Sequence, residues 1–437
     1  MMPLAMIVAG QGARVAGSDR SLDQGRVAEK FAALEKLGIA LFPQDGSGLT
    51  SADQILVASA AVENTVPDVI AANRIGAARM SRAELLAILF NASGQGIAVG
   101  GTSGKSTVTG MIGWIMDQAG RDPTIMNGAV MKNYVRPDAP FASARVGAGT
   151  VFVSEVDESD GSIALYTPDI AVLNNVALDH KSMEELRALF SAFVGRARVA
   201  VVNADNDEAL ALAGNNARTF GIAAAADFRA TAIVERPDGV SFVVNGVAVD
   251  LAVPGKHNVA NALAALVATN AAGVQLTEGA KALASFAGLK RRMELVGTAN
   301  HITVIDDFGH NPDKISATLD ALHAFPGRLL VMFQPHGYGP IRLMGKELAA
   351  TFAAKLGPED RLIMPDPVYY GGTTDKALGS DTITGAVGPR ALHIPSREVC
   401  GDWLASEARA GDRIIIMGAR DDTLSVFAQE LLERLGG

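Results

Sequence analysis

The residues best equipped for chemistry in this 437-residue chain stand together at Gly101-Thr102-Ser103-Gly104-Lys105-Ser106-Thr107. Glycines there let the backbone turn tightly with its N–H groups facing inward, and such a nest of amides holds an anion. Lys105 adds a mobile cation, and the Ser106 hydroxyl is a hard oxygen suited to Mg²⁺. The apolar run Ile97-Ala98-Val99 ahead of the loop reads as a buried strand. Behind it, Val108, Met111, Ile112, Ile115 and Met116 recur at helical spacing. Strand, glycine turn and helix start, in that order, make a phosphate site, because the helix end contributes partial positive charge. Strict P-loop spacing asks for a glycine at 99, where this chain carries Val99. A glycine-rich turn with an incidental lysine would not explain the strand and helix on either side. The expected ligand is a nucleoside triphosphate.

Such a site needs metal ligands and a group to receive the phosphoryl. Glu155 closes the apolar run Thr150–Val156, the usual place for a hard oxygen ligand to Mg²⁺. Asp157, Glu158 and Asp160 compete for that role, or serve as solvated loop and helix caps. His180, after another strand, is either a second ligand or a turn residue. His257, Asn258 and Asn261 open a helix, where Asn258 reads as its cap unless a ligand claims it. Arg292 either neutralises a transferring phosphate or is a surface charge. Asp306-Asp307, followed by His310 and Pro312, suits a ribose diol and a catalytic contact, and equally suits helix capping.

Composition narrows the class. Apolar residues make up 49% and charged residues 19%, so core material is ample and wholesale disorder is excluded. The net charge is −9, and no basic cluster exceeds Lys290-Arg291-Arg292, which argues against a nucleic-acid partner. The single Cys400 excludes an intrachain disulfide and a Cys-rich metal site, and fits a cytoplasmic protein. No apolar run reaches the length of a membrane span, and the first residues lack the basic segment and cleavage site of a signal peptide. The partners expected are small molecules, with no nucleic acid and no membrane.

The elements that must position these residues alternate. Met1–Gly10 reads as an amphipathic helix, Ala13–Gly17 and Gln54–Ser59 as strands, and Val27–Leu37, Pro67–Ala72 and Ser81–Leu89 as helices. Short strands between helices indicate a parallel, Rossmann-like sheet. Asp19, at a strand end, either touches a nucleotide or caps a loop. The turn-forming stretch 91–96 marks a first domain boundary. Further strands fall at Asp169–Val176 and Val199–Asn203, an antiparallel meander at Ala230–Val253, and an Ala-rich helix at Val259–Asn270. A second boundary falls at Arg292. Beyond it, strands at Ile302–Ile305, Arg328–Phe333, Arg361–Met364 and Arg413–Met417 set up another doubly wound sheet with its loops at the strand C-terminal ends. The reading is α/β in three domains: 1–93, Rossmann-like with its first strand missing; 94–292, a central P-loop ATPase domain; and 293–437, Rossmann-like.

Taken together, GTSGKST at 101–107, SEVDESD at 154–160, NNVALDH at 174–180, PGKHNVANALAA at 254–265, KRRME at 290–294 and DDFGHNP at 306–312 resemble the Mur ligase family, in family order across nearly the whole chain. That resemblance implies an ATP- and Mg²⁺-dependent ligase that joins a carboxylate to an amine through an acyl phosphate. GSD at 17–19 and FQPH at 333–336 are similar to the branch adding L-alanine to UDP-N-acetylmuramate, which includes muropeptide ligases. The implied roles are these. Gly101, Thr102, Ser103, Gly104, Lys105, Ser106 and Thr107 hold the ATP phosphates. Ser106, Glu155 and His180 hold Mg²⁺. Asn258 and Asn261 face adenine, Arg292 faces the γ-phosphate and Asp307 the ribose. His310 and His336 lie near the incoming amine, while Asp19, Ser59 and Arg342 are substrate candidates. The C-terminal domain closes over the other two, in a monomer or homodimer.

Three departures qualify the resemblance. The family's opening strand and GxGGxGM turn are absent, so the sequence is expected to start at an internal Met or to be truncated. The rival is real loss of UDP binding, and upstream in-frame codons decide between them. Gly337 stands where alanine-adding relatives carry an Arg after FQPH, with Arg342 as the substitute. The segment after His180 is short, running from Lys181 straight into the Met183–Phe190 helix. The alternatives kept are a muropeptide (tripeptide) ligase, a ligase acting on a non-cell-wall acceptor, and a non-catalytic nucleotide-binding regulator. The last would bind ATP without turnover under any acceptor.

Overall fold

The computed structural model describes residues 1–25, 27–59, 62–178, 181–368, 377–419, 421 and 423–436. The chain divides into two compact units: 1–233, 241–252 and 259–288 form one, and 234–240, 253–258 and 289–437 form the other.

The first unit opens on the helix Met2–Gly10. Its residues MPLAMIVAG are apolar on every side, so the expected amphipathic helix is instead one covered on two faces. Leu4 and Ile7 enter the cluster of Phe90, Phe152 and Tyr166, while Met2, Ala5 and Ala9 pack on Phe31, Leu34 and Ile39. The strand Ala16–Ser18 pairs parallel with Ala40–Phe42, and Ile55–Ala58 pairs parallel with Ala78–Ser81. The parallel pairing matches expectation. Among the described residues, however, the pairs are two separate ribbons and not one sheet, because no strand lies between them.

A ten-stranded sheet carries the rest of this unit. In spatial order it runs Ala217–Gly221, Val199–Asn203, Ile170–Leu173, Gln95–Gly100, Val151–Glu155, Thr124–Met126 and Ala144–Arg145, with the antiparallel meander of Phe228–Arg236, Gly239–Val244 and Val247–Leu251 at the other edge. Gln95–Gly100 is parallel to both neighbours and buried along nearly its whole length, which is why it reads as an unbroken apolar run. It also shortens the turn expected over 91–96. The preceding helix ends at Asn91, and Gln95 and Gly96 already belong to the strand. Gly96 is required there because a Cβ would lie 2.7 Å from the Phe90 ring.

The second unit holds six strands in the order Glu294–Ala299, Ile302–Asp307, Arg413–Met417, Leu329–Phe333, Arg361–Met364 and Ala391–His393, all parallel except the first. Helices including Pro312–His323 and Tyr338–Lys355 bury Ile315, Leu319, Ile341 and Phe352 against it. On another core cluster, Cys400 lies fully buried, and burial pushes its thiol up to about 12. Asp306-Asp307 and Phe333 end their strands on the C-terminal edge, where parallel α/β sheets bind ligands.

Candidate active site

The phosphate loop leaves the central strand at Gly100, and its helix begins at Lys105. Gly101 has φ 128°, and a Cβ on it would sit 3.0 Å from the carbonyl oxygen of Asn175. Gly104 has φ 83°, and its Cβ would collide with the Asn174 and Asn261 side chains. Only glycine fits both the dihedral and the space. Two asparagines brace the loop. Asn175 Oδ1 accepts from the Ser103 N–H and the Thr102 hydroxyl, both at 2.8 Å, and its Nδ2 donates to Ser103 O at 3.1 Å. Asn174 Nδ2 donates to Ser103 O at 3.0 Å and to Asn261 Oδ1 at 3.2 Å, tying the loop to the helix Lys256–Ala271. Thr107 lies in the first turn after the loop.

The four acids differ in their contacts. Glu155, ending its strand, accepts a 2.7 Å hydrogen bond from the Ser106 hydroxyl. Glu158 pairs with Lys105 Nζ at 2.7 Å, and the same ammonium donates to Gly101 O at 2.7 Å. Asp157 and Asp160 are spent on turns, accepting from Ser159 and Ser162 at 2.9 Å. Gly128 faces Glu155, where any Cβ would strike the carboxylate. Asn127 Nδ2 holds Ser106 O at 2.9 Å. His180 lies outside the described residues.

Other expected residues fall less simply. The helix expected at Val259 starts at Lys256, so Asn258 sits inside its first turn and donates Nδ2 to Pro254 O at 2.7 Å. That corrects the capping reading, because a cap accepts from the helix amides. Asp19 does cap, taking the Ser21 N–H at 2.7 Å at the exposed start of the helix Arg20–Asp23. Ser59 is half-buried just beyond the strand Ile55–Ala58, and Arg342 is exposed on the helix Tyr338–Lys355.

In the second unit the acids at the end of Ile302–Asp307 are held from within. Arg291, left unsingled by the sequence because its neighbour matched the motif equally well, lies 3.3 Å from Asp306 and donates to Gly418 O and Asp421 O at 2.6 and 2.9 Å. Burial pushes the Asp306 carboxyl up, with Arg291 opposing. Asp307 accepts from the Met293 and Gly309 N–H groups at 2.9 and 2.8 Å and from the Thr318 hydroxyl at 3.1 Å. Arg292 lies over the Phe308 ring, 4.3 Å from its centroid.

His310 Nδ1 is 3.0 Å from Phe308 O. A carbonyl only accepts, so Nδ1 carries the proton and Nε2 the lone pair. Burial first, then Lys314, brings this imidazole down to about 3, so it is neutral at pH 7. Its ring stands perpendicular to His336, with centroids 5.4 Å apart. Gly337, with φ 136°, caps the helix Tyr338–Lys355.

Three family models match in order: the Mur ligase family catalytic domain over 1–93, the Mur ligase middle domain over 99–269, and the Mur ligase glutamate ligase domain over 291–420. The UDP-N-acetylmuramate--L-alanine ligase of Streptomyces coelicolor is 34% identical, covering 97% of this chain and 93% of that protein. The same-named ligase of Dinoroseobacter shibae is 32% identical over 100% of this chain and 95% of its own length. Among solved structures, the UDP-N-acetylmuramate-alanine ligase of Thermotoga maritima shares the fold, with a TM-score of 0.81 at 24% identity over 99% of this chain and 96% of that one. A murein peptide ligase from Psychrobacter arcticus has a TM-score of 0.72 at 26% identity, covering 100% and 96%. The chain belongs to the Mur ligase family. It is an ATP-dependent ligase that forms amide bonds.

Proposed function

We propose that this ligase joins L-alanine to the carboxylate of UDP-N-acetylmuramate in peptidoglycan synthesis. Its likeness along nearly the full length to the Streptomyces coelicolor ligase supports that substrate pair. The observation carrying the chemistry is the loop itself, whose ammonium and hydroxyl lie against Glu158 and Glu155. In this reading the loop amides and Lys105 bind the triphosphate, Asn258 and Asn261 face adenine, Asp307 the ribose and Arg292 the γ-phosphate. The Ser106 hydroxyl and Glu155 carboxylate, 2.7 Å apart, are hard oxygens and fit Mg²⁺, with His180 as the further candidate ligand. When bound, Mg²⁺ offsets the repulsion between carboxylate and triphosphate.

An oxygen of the acceptor carboxylate attacks the γ-phosphorus, and the bond to ADP breaks. The amine nitrogen then attacks the acyl carbon, phosphate leaves, and the amine gives up a proton. His310 Nε2 accepts a hydrogen bond from the amine; with a value near 3 it orients that group and does not store its proton. Domain limits of 1–93, 94–292 and 293–437, a cytoplasmic site and a monomer or homodimer belong to the same proposal.

One observation favours a second amine. Gly337 offers no side chain directly after His336, which suits a peptide donor larger than alanine. ADP release measured with UDP-N-acetylmuramate and either L-alanine or short peptides separates the two. Release with alanine alone supports the first reading, release with a tripeptide alone replaces it, and release with neither removes both.

A further inference from the structure

Lys105 already has an anionic partner. The Glu158 carboxylate is 4% exposed, and its Oε2 lies 2.7 Å from the Lys105 ammonium. A buried carboxylate without a cation is strongly disfavoured, so this contact is one the segment is built to make. The surrounding turn fixes it. Asp157 takes the Ser159 N–H and hydroxyl, Glu158 O takes the Gly161 N–H at 3.1 Å, and Asp160 takes the Ser162 N–H. Three residues earlier, Glu155 answers Ser106 in the same way. One short acidic segment therefore occupies both side chains that a triphosphate and its metal would use.

We propose that Glu158 is the counter-anion of Lys105 before nucleotide arrives. Triphosphate binding then exchanges a carboxylate for a phosphate on one ammonium, and Glu158 sets nucleotide affinity. Two anions compete for that ammonium and repel each other, so removing the carboxylate's charge tightens the triphosphate. Glu158 is thus a positioning residue acting through Lys105. The inference rests on the loop being the ATP site.

Calorimetry on the full chain tests it, with a non-hydrolysable ATP analogue and AMP as ligands. Glu158→Gln is expected to bind the analogue at least tenfold more tightly and AMP unchanged, since AMP lacks the phosphates Lys105 reaches. In a Lys105→Met background the gain falls below threefold. Unchanged or weaker analogue binding by Glu158→Gln overturns the proposal, and so does an equal gain without Lys105. If Glu158→Gln fails to fold by circular dichroism, Glu158→Asp, one methylene shorter, is expected to gain about threefold, and no gain is again a refutation. Failure of the unmodified chain to bind the analogue, or Lys105→Met binding it equally well, sinks the ATP-site reading instead.

Discussion

In the first unit, Lys105 and Ser106 each meet a carboxylate that a ligand can displace or share. In the second, Arg291 and Asp306 take their partners from the fold: backbone carbonyls for the guanidinium, and Arg291 with the Ser425 hydroxyl for Asp306. One region keeps its charges exchangeable, and the other locks them to hold two neighbouring segments, one carrying Arg292 and the other Phe308 and His310. In the proposed reading, similar acidic and basic motifs bind a ligand in one place and set geometry in another.

The sharpest break of that contrast is Lys105→Ala. It should lower ADP release with both substrates present by at least about a thousandfold, because phosphoryl transfer depends on charge neutralisation. It should also lower the melting temperature, because Glu158 is left buried without its cation. Substantial remaining turnover would remove the loop from the reaction. Arg291→Met should act on stability alone, destabilising the second unit by roughly 3–5 kcal/mol because it leaves Asp306 buried without its cation. Denaturant unfolding measures this, and a stability loss below about 1 kcal/mol would show that Arg291 is no brace.

His310 gives a pH signature. Its folded value lies near 3, below the ordinary 6.5 of an unfolded histidine. As pH falls through 6.5 the unfolded chain takes up a proton that the folded chain refuses, so stability present at pH 7 is lost on acidification. Between pH 7 and pH 5 the loss attributable to this residue is about 2 kcal/mol. Comparing the chain with His310→Gln at both values isolates it, and parallel pH dependences would contradict the burial. The smallest effect is expected from Gly128→Ala, whose methyl displaces the Glu155 carboxylate from Ser106. About a tenfold fall in kcat should follow, with a raised Mg²⁺ requirement and little change in melting temperature. Unaltered kinetics would detach Glu155 from the metal.

Legibility in the sequence followed the strength of local constraint. The loop and its flanking elements could be read because glycines, lysine and an apolar strand each leave their own mark, and Gly101 and Gly104 do take left-handed dihedrals. Strands Arg361–Met364 and Arg413–Met417 fell on their expected limits because buried parallel strands are continuous apolar runs. Ala40–Phe42, Ala78–Ser81 and Ala391–His393 escaped notice. Three or four residues, partly exposed, give too short a pattern for period-two alternation. The partition of Glu155, Asp157, Glu158 and Asp160 was also hidden, since four acids in six residues look alike until the turn decides which one points at Lys105. Asn258 misled because a helix-opening Asn suits a cap, and only the start at Lys256 shows otherwise.

The lone thiol of Cys400 has a practical use. Fully enclosed and raised to about 12, it carries almost no thiolate at neutral pH. Maleimide dyes should therefore ignore the native protein, and a cysteine introduced at an exposed position such as Leu343, 74% accessible, would take up the only fluorophore. Single-site optical reporting of substrate encounter is thus available without first stripping the chain of sulfur nucleophiles.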